Sequence, residues 1–189
     1  MSKTMPNAVV ALGANLDLRG NSPAVTLQHA LDALSRQGVV IRSASRFFAT
    51  PCFPAGAGPD YVNAAALVET RKSPAELLQV LHQVEHAFGR ERVQRWGMRT
   101  LDLDLVCFGD QVLPDRAMFD RWLKLPSEAQ RQEAPDQLVL PHPRLQDRAF
   151  VLVPMEDIVP DWRHPVLDRT VSQMVSALPV AEVAAITPL

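Results

Sequence analysis

No run of this chain approaches the roughly 20 apolar residues that a helix needs to cross a bilayer. The opening MSKTMPNAVVALGAN also lacks the long apolar stretch and small-residue cleavage site of a secretory leader. Cysteine is scarce: Cys52 and Cys107 lie far apart and without metal-ligand spacing. That fits two free thiols in a reducing cytosol better than a disulfide. Lysine is nearly as rare, since only Lys3, Lys72 and Lys124 stand among 19 basic residues. Arginine is therefore the background base, so an isolated arginine says little and a dense group says more. The net charge of −2 gives no general field to attract nucleic acid or an anionic membrane. Several phosphate motifs are missing. There is no GxxxxGKS/T loop, no protein-kinase signature, and Gly13-Ala14-Asn15 lacks the glycine repeat of a dinucleotide fingerprint. Any nucleotide handled here must be held by side chains on a strand and a loop.

What is present is a chain of 189 residues, 47% hydrophobic, enough for one cytoplasmic domain with its own core. Ala8 to Leu12 reads as a buried strand closed by a turn at Gly13. From Pro23 to Leu34 the apolar residues recur at helical spacing, with Asn21 or Ser22 as the cap. Val39 to Phe48 alternates as a strand does. Residues 50–59, with three prolines and two glycines, must be loop. Tyr61 to Glu69 is a further strand. Ser73 to Phe88 is the clearest helix: Ser73 caps it, Pro74 follows, Glu76 completes a capping box and Gly89 ends it. Leu101 to Phe108 is a strand with alternating carboxylates. The order predicts an α+β, ferredoxin-like split βαβ arrangement: a mostly antiparallel sheet with helices packed on one face. Residues 114–136 read as a charged, proline-bounded insertion carrying one short amphipathic helix around Met118, Phe119, Trp122 and Leu123. It is expected to pack back on the domain, with an oligomer contact left open.

The chemistry begins with Asp102 and Asp104. Side chains two apart on a strand share a face, with origins roughly 7 Å apart. With Leu101, Leu103 and Leu105 turned the other way, the carboxylates could hold a hard cation. Magnesium suits them because it completes its shell with water and phosphate, and two such ions can clamp a phosphoryl transfer. Aspartate is a poor strand former, so a plain solvated face explains the pair less well. Arg90, Arg92, Arg95 and Arg99 precede them in a segment holding Gly89 and Gly97. Guanidinium forks bind phosphate bidentately and stay charged. The pattern suggests metal on one side of a polyphosphate and arginine on the other. A competing motif, His82-Gln83-Val84-Glu85-His86, matches the HxxEH signature of inverted zinc peptidases. It leaves the aspartates and arginines unexplained.

The segment Arg95-Trp96-Gly97-Met98-Arg99-Thr100-Leu101-Asp102-Leu103-Asp104-Leu105 resembles the RWGPRTLDLDI signature of the hydroxymethyl-dihydropterin pyrophosphokinases of folate synthesis. The resemblance extends through Ala11-Leu12-Gly13-Ala14-Asn15-Leu16, Pro59 to Ala65, Leu140-Pro141-His142-Pro143 and Asp147 to Leu152. It implies transfer of pyrophosphate from MgATP to the hydroxymethyl group of a reduced pterin, releasing AMP. Asp102 and Asp104 would then hold two magnesium ions. The pterin would stack between Tyr61 and Phe150, near Gly13 and Trp96. Asn63 and the backbone of Thr50, Pro51 and Phe53 would read its amide-like edge. Arg90, Arg92, Arg95 and Arg99 would contact phosphates, with Arg90 and Arg99 serving catalysis. Glu85 and Leu105 would lie near the adenosine, and His142 and Arg148 near the phosphates. The implied partners are small molecules, and a monomer is expected with a dimer left open. Departures from the pattern occur at Cys52, Pro143, Gln137 and Val139. They leave an inactive nucleotide- or pterin-binding module as the alternative.

Overall fold

The computed structural model describes residues 7–52, 58–89, 100–126, 129, 133 and 135–189. Its sheet is built around β1 (Asn7–Ala14), whose inner residues are apolar and buried on both faces, as a central strand requires. β1 pairs antiparallel with β4 (Tyr61–Glu69) on one side and β5 (Asp102–Phe108) on the other. The far edge of β4 carries both β2 (Val40–Ala44) and β3 (Phe48–Thr50), and a short β6 (Thr187–Pro188) adds to β3. Helices α1 (Pro23–Arg36) and α2 (Pro74–Ala87) lie on one face, burying Leu27, Leu31, Leu34, Leu77 and Leu81 against Val10, Leu12, Ala64, Ala66 and Leu103. This is the α+β, ferredoxin-like order anticipated above.

Local chemistry sets these elements. Ser22 caps α1 by accepting a hydrogen bond from the Val25 amide, with Pro23 in the first turn. Ser73 and Glu76 form the reciprocal capping box of α2. Gly89 follows α2 at φ 75°, a left-handed conformation that glycine adopts without penalty.

Two strand boundaries differ from the sequence reading. β1 does not turn at Gly13 but runs through it to Ala14. The expected single strand from Val39 to Phe48 is interrupted at Ser45. There the Ser45 amide donates to the Ala65 carbonyl at 2.9 Å, and the Ser45 hydroxyl accepts from the Ala65 amide at 2.9 Å. A side-chain oxygen thus stands where a ladder carbonyl would be, and the strand resumes in a new register with Phe48 opposite Asn63.

The helices also cover part of the second face. α3 (Arg116–Lys124) lies in the 114–136 segment, while α4 (Ala149–Ile158) and α5 (Val171–Ala177) pack Val151, Leu152, Met155 and Met174 onto Val9, Ala65, Val106 and Cys107. Both cysteines are free, and burial pushes the Cys107 thiol up to about 12, so it stays protonated and inert. α3 buries Phe119 and Trp122 against Val139 in a third cluster. No described helix is long and apolar enough to cross a membrane.

His164 joins this third cluster to the C-terminal half. It is fully buried, with its ring 5.7 Å from those of both Phe119 and Trp162. Its Nδ1 accepts from the amides of Val166 and Leu167 at 3.1 and 3.2 Å, so the ring is neutral with its proton on Nε2. Burial pushes its pKa down to about 4. In the unfolded chain the same ring titrates near 6.5, so below that pH only the unfolded state gains the proton. Stability is therefore full above about pH 6.5 and falls as the pH drops toward 4, by about 2–3 kcal/mol for this group. His142, also held neutral, adds a second proton to the slope. Denaturant melts at pH 7, 6 and 5 should show this fall, and a His164→Gln variant should roughly halve its slope. A flat profile between pH 6.5 and 5 would refute it.

Candidate functional site

Residues directly opposite one another in a sheet point to the same face. The pairings Phe48–Asn63, Asn63–Gly13 and Gly13–Asp102 therefore draw one row across four strands. The row on one side of it is Thr50–Tyr61, and on the other Ala65–Ala11–Asp104. So Thr50, Tyr61, Asn63, Gly13, Asp102 and Asp104 share the face opposite α1 and α2. Leu101, Leu103 and Leu105 point the other way, into the core under those helices. The alternation read in the sequence is thus a division of labour between the two faces of β5.

The residues expected on the pterin side are tightly placed. Asn63 Nδ2 donates to Thr50 Oγ1 at 2.6 Å, and both residues are buried. A Cβ on Gly13 would stand 2.7 Å from Asn63 Oδ1. The amide oxygen of Asn63 therefore occupies the space that a side chain at position 13 would fill. Two further bonds tie the described residues beside it. Asn15 Nδ2 donates to the Pro59 carbonyl at 3.1 Å, and the Cys52 amide to Asp60 Oδ1 at 3.2 Å. Pro51, exposed, sits between Thr50 and this second tie.

Among the described residues no strand flanks the outer edge of β5, and two of its edge groups are taken from elsewhere. Glu85, 2% exposed, accepts the Leu103 amide at 2.8 Å, and the His142 amide donates to the Val106 carbonyl at 2.7 Å. Glu85 and Leu105, expected beside an adenosine, are both buried, with Leu105 in the core under the helices. The same geometry bears on the HxxEH reading: His82 and His86 are exposed while Glu85 turns inward to serve β5. Among the described residues no group of three or more histidine, cysteine or acidic side chains converges on a metal position. A pair of strand carboxylates suits magnesium, which fills its remaining positions with phosphate and water, better than a protein-enclosed zinc.

Positive charge gathers beside the pair. Arg148 Nη1 lies 3.7 Å from Asp104 Oδ2, and its guanidinium sits 5.7 Å over the ring of Phe150. Asp104, Val106, His142, Leu145, Arg148 and Val151 line a small cleft at this point. The Asp104 side chain is 43% exposed there, and Phe150 stands 41% exposed at the start of α4. His142 is pushed down to about 3, first by desolvation and then by the Arg148 charge. Its Nδ1 accepts the Arg144 amide at 3.1 Å, which leaves Nε2–H as a neutral donor. Arg144 is a member of this neighbourhood that the sequence reading overlooked. It follows the Pro143 departure and carried no motif of its own. Val139, where a threonine often touches ATP in the resembled family, is buried in the α3 cluster. Phe53, Arg90, Arg92, Arg95, Trp96 and Arg99 lie outside the described residues.

Comparison with known proteins gives an independent result. A profile of the 7,8-dihydro-6-hydroxymethylpterin-pyrophosphokinase family matches residues 9–160. A 2-amino-4-hydroxy-6-hydroxymethyldihydropteridine pyrophosphokinase of Synechocystis is 34% identical over 183 residues, covering 96% of this chain and 80% of that one. The protein of the same name from Pseudomonas aeruginosa is 37% identical over 158 residues, 82% of each. Among solved structures, the wild-type HPPK-DHPS of Plasmodium falciparum superposes with a TM-score of 0.64 at 15% identity. That match covers 93% of this chain and 45% of the larger one, and it speaks to the fold alone.

Proposed function

Since the chain belongs to the 7,8-dihydro-6-hydroxymethylpterin-pyrophosphokinase family, we infer that it transfers the pyrophosphoryl group of ATP to the hydroxymethyl group of 6-hydroxymethyl-7,8-dihydropterin. The products are AMP and the pterin diphosphate, in folate biosynthesis. The observation that carries the reading onto this chain is the shared face. Six candidate residues from four strands meet there, with the carboxylates at one end and the pterin-side groups at the other.

In this proposal the pterin lies between Tyr61 and Phe150, its amide edge meeting Asn63 over Gly13. Offset stacking contributes about 0.5–1.5 kcal/mol per aromatic contact beyond burial. Asp102 and Asp104 would hold magnesium, two ions, which when bound neutralise the polyphosphate charge. The pterin hydroxyl oxygen attacks the β-phosphorus in line. The new O–P bond forms as the bond from the β-phosphorus to the bridging oxygen breaks, AMP leaves with that oxygen, and the hydroxyl proton is released to water. Arg148 and the neutral Nε2–H of His142 face the phosphates, one as a charge and one as a hydrogen-bond donor. Arg90, Arg92, Arg95 and Arg99 would complete the cradle, and Trp96 the closing loop. The protein's contribution is placement and charge neutralisation. No side chain is assigned as general base.

Incubation with MgATP and the reduced pterin should release one AMP per pterin diphosphate formed, followed by chromatography. ADP as the nucleotide product, or tight binding of both substrates without turnover, would overturn the reading.

A further inference from the structure

The break in the strand at Ser45 throws the next residue, Arg46, off the sheet and onto α4. Three donors of that one residue converge on Asp157. The backbone amide and Nε both donate to Oδ2, at 3.2 and 2.9 Å, and Nη2 donates to Oδ1 at 2.7 Å. The same guanidinium lies 5.3 Å over the ring of Phe48. Phe48 opens the row that continues through Asn63 and Gly13 to Asp102. Asp157 stands in the last turn of α4, the helix whose first turn carries Phe150 and which packs against β3 and β4.

The ion pair is too exposed to matter much for stability. Arg46 is 63% and Asp157 20% exposed in their side chains, and such pairs contribute little once screened. Its geometry is nevertheless specific: a guanidinium fork on a carboxylate, doubled by a main-chain amide that cannot turn away. The two bodies it joins are the strands bearing Thr50, Tyr61 and Asn63 and the helix bearing Phe150. Little else of polar character ties this helix to β3 among the described contacts.

We propose that Arg46 and Asp157 are positioning residues that set the separation between the two aromatic walls of the pterin slot. The pair touches neither substrate. It fixes how far α4 stands from β3 and β4, and hence whether a flat ring fits between Tyr61 and Phe150. This rests on the stacking proposed above. Its signature is selective, because the nucleotide end of the site is anchored separately through β5 and His142.

The test measures two dissociation constants, for the reduced pterin in the presence of a non-hydrolysable MgATP analogue and for that analogue alone. Asp157→Ala loses all three bonds and should weaken pterin binding about tenfold, the scale of a sub-ångström misplacement. Analogue binding should stay within about twofold by the same reasoning. Arg46→Lys keeps the charge and most of the stem but loses the fork, so it should also weaken pterin alone. It serves as well if the first variant folds poorly. Unchanged pterin affinity in either variant, or equal weakening of both ligands, overturns the proposal. Failure of the unaltered chain to bind pterin at all would overturn the functional reading, and this proposal with it.

Discussion

Asp102→Ala and Asp104→Ala should each lower the rate of AMP formation about a thousandfold or more while leaving the melting temperature nearly unchanged. The size follows from what the carboxylates are asked to do. Loss of one well-placed group that stabilises charge in a transition state costs about 10²–10³ in rate, and a metal ligand supplies several kcal/mol of such stabilisation. Stability should hold because neither side chain is part of the apolar core, and Asp104 is 43% exposed with a guanidinium 3.7 Å away. Removing Asp104 also takes away a carboxylate 3.7 Å from Arg148, so the variant should retain or gain affinity for free ATP even as turnover collapses. Single-turnover quench measurements beside calorimetric melts would decide the matter. A variant turning over within tenfold of the parent would remove these residues from the metal-binding role.

Gly13→Ala should weaken pterin binding by up to about a hundredfold with little effect on ATP. The added Cβ would stand 2.7 Å from Asn63 Oδ1, well inside contact distance. The strand itself tolerates alanine, so the backbone has no reason to move. The Asn63 amide must move instead, and that strains the 2.6 Å bond that holds it to Thr50. A misplacement near 1 Å at a positioning group can cost about 10²-fold. Parallel titrations with the pterin and with a non-hydrolysable ATP analogue provide the measurement. Equal affinities for the pterin before and after the change would mean that Asn63 does not read it.

Much of this was legible in the residues. α2 announced itself through Ser73, Pro74, Glu76 and Gly89, because capping chemistry is local and written within one or two turns. The alternation from Leu101 to Leu105 located the carboxylate face for the same reason: strand periodicity is a property of neighbours. Gly13 misled because a glycine after an apolar run commonly means a turn. Here its missing side chain makes room for an amide from another strand, a relation between positions 50 residues apart that no local pattern carries. Ser45 was missed on similar grounds, since a hydroxyl replacing a ladder carbonyl depends on Ala65 across the sheet. α4, with Pro154 inside it and a hydrophobic surface on most sides, has no clean helical stripe, so its covering of the second face emerges only in three dimensions.

The closure of β5 has a consequence for how the chain behaves in a crowded solution. An outermost strand with unused amides and carbonyls is a template on which another chain can grow a sheet. On β5 the Leu103 amide is already taken by a buried carboxylate, and the Val106 carbonyl by the amide of His142. A second molecule pairing at those two positions would have to expel Glu85 from the interior and peel away the segment that carries His142. The strand that bears the acidic pair thus lies at the border of the described sheet with two of its edge groups already committed.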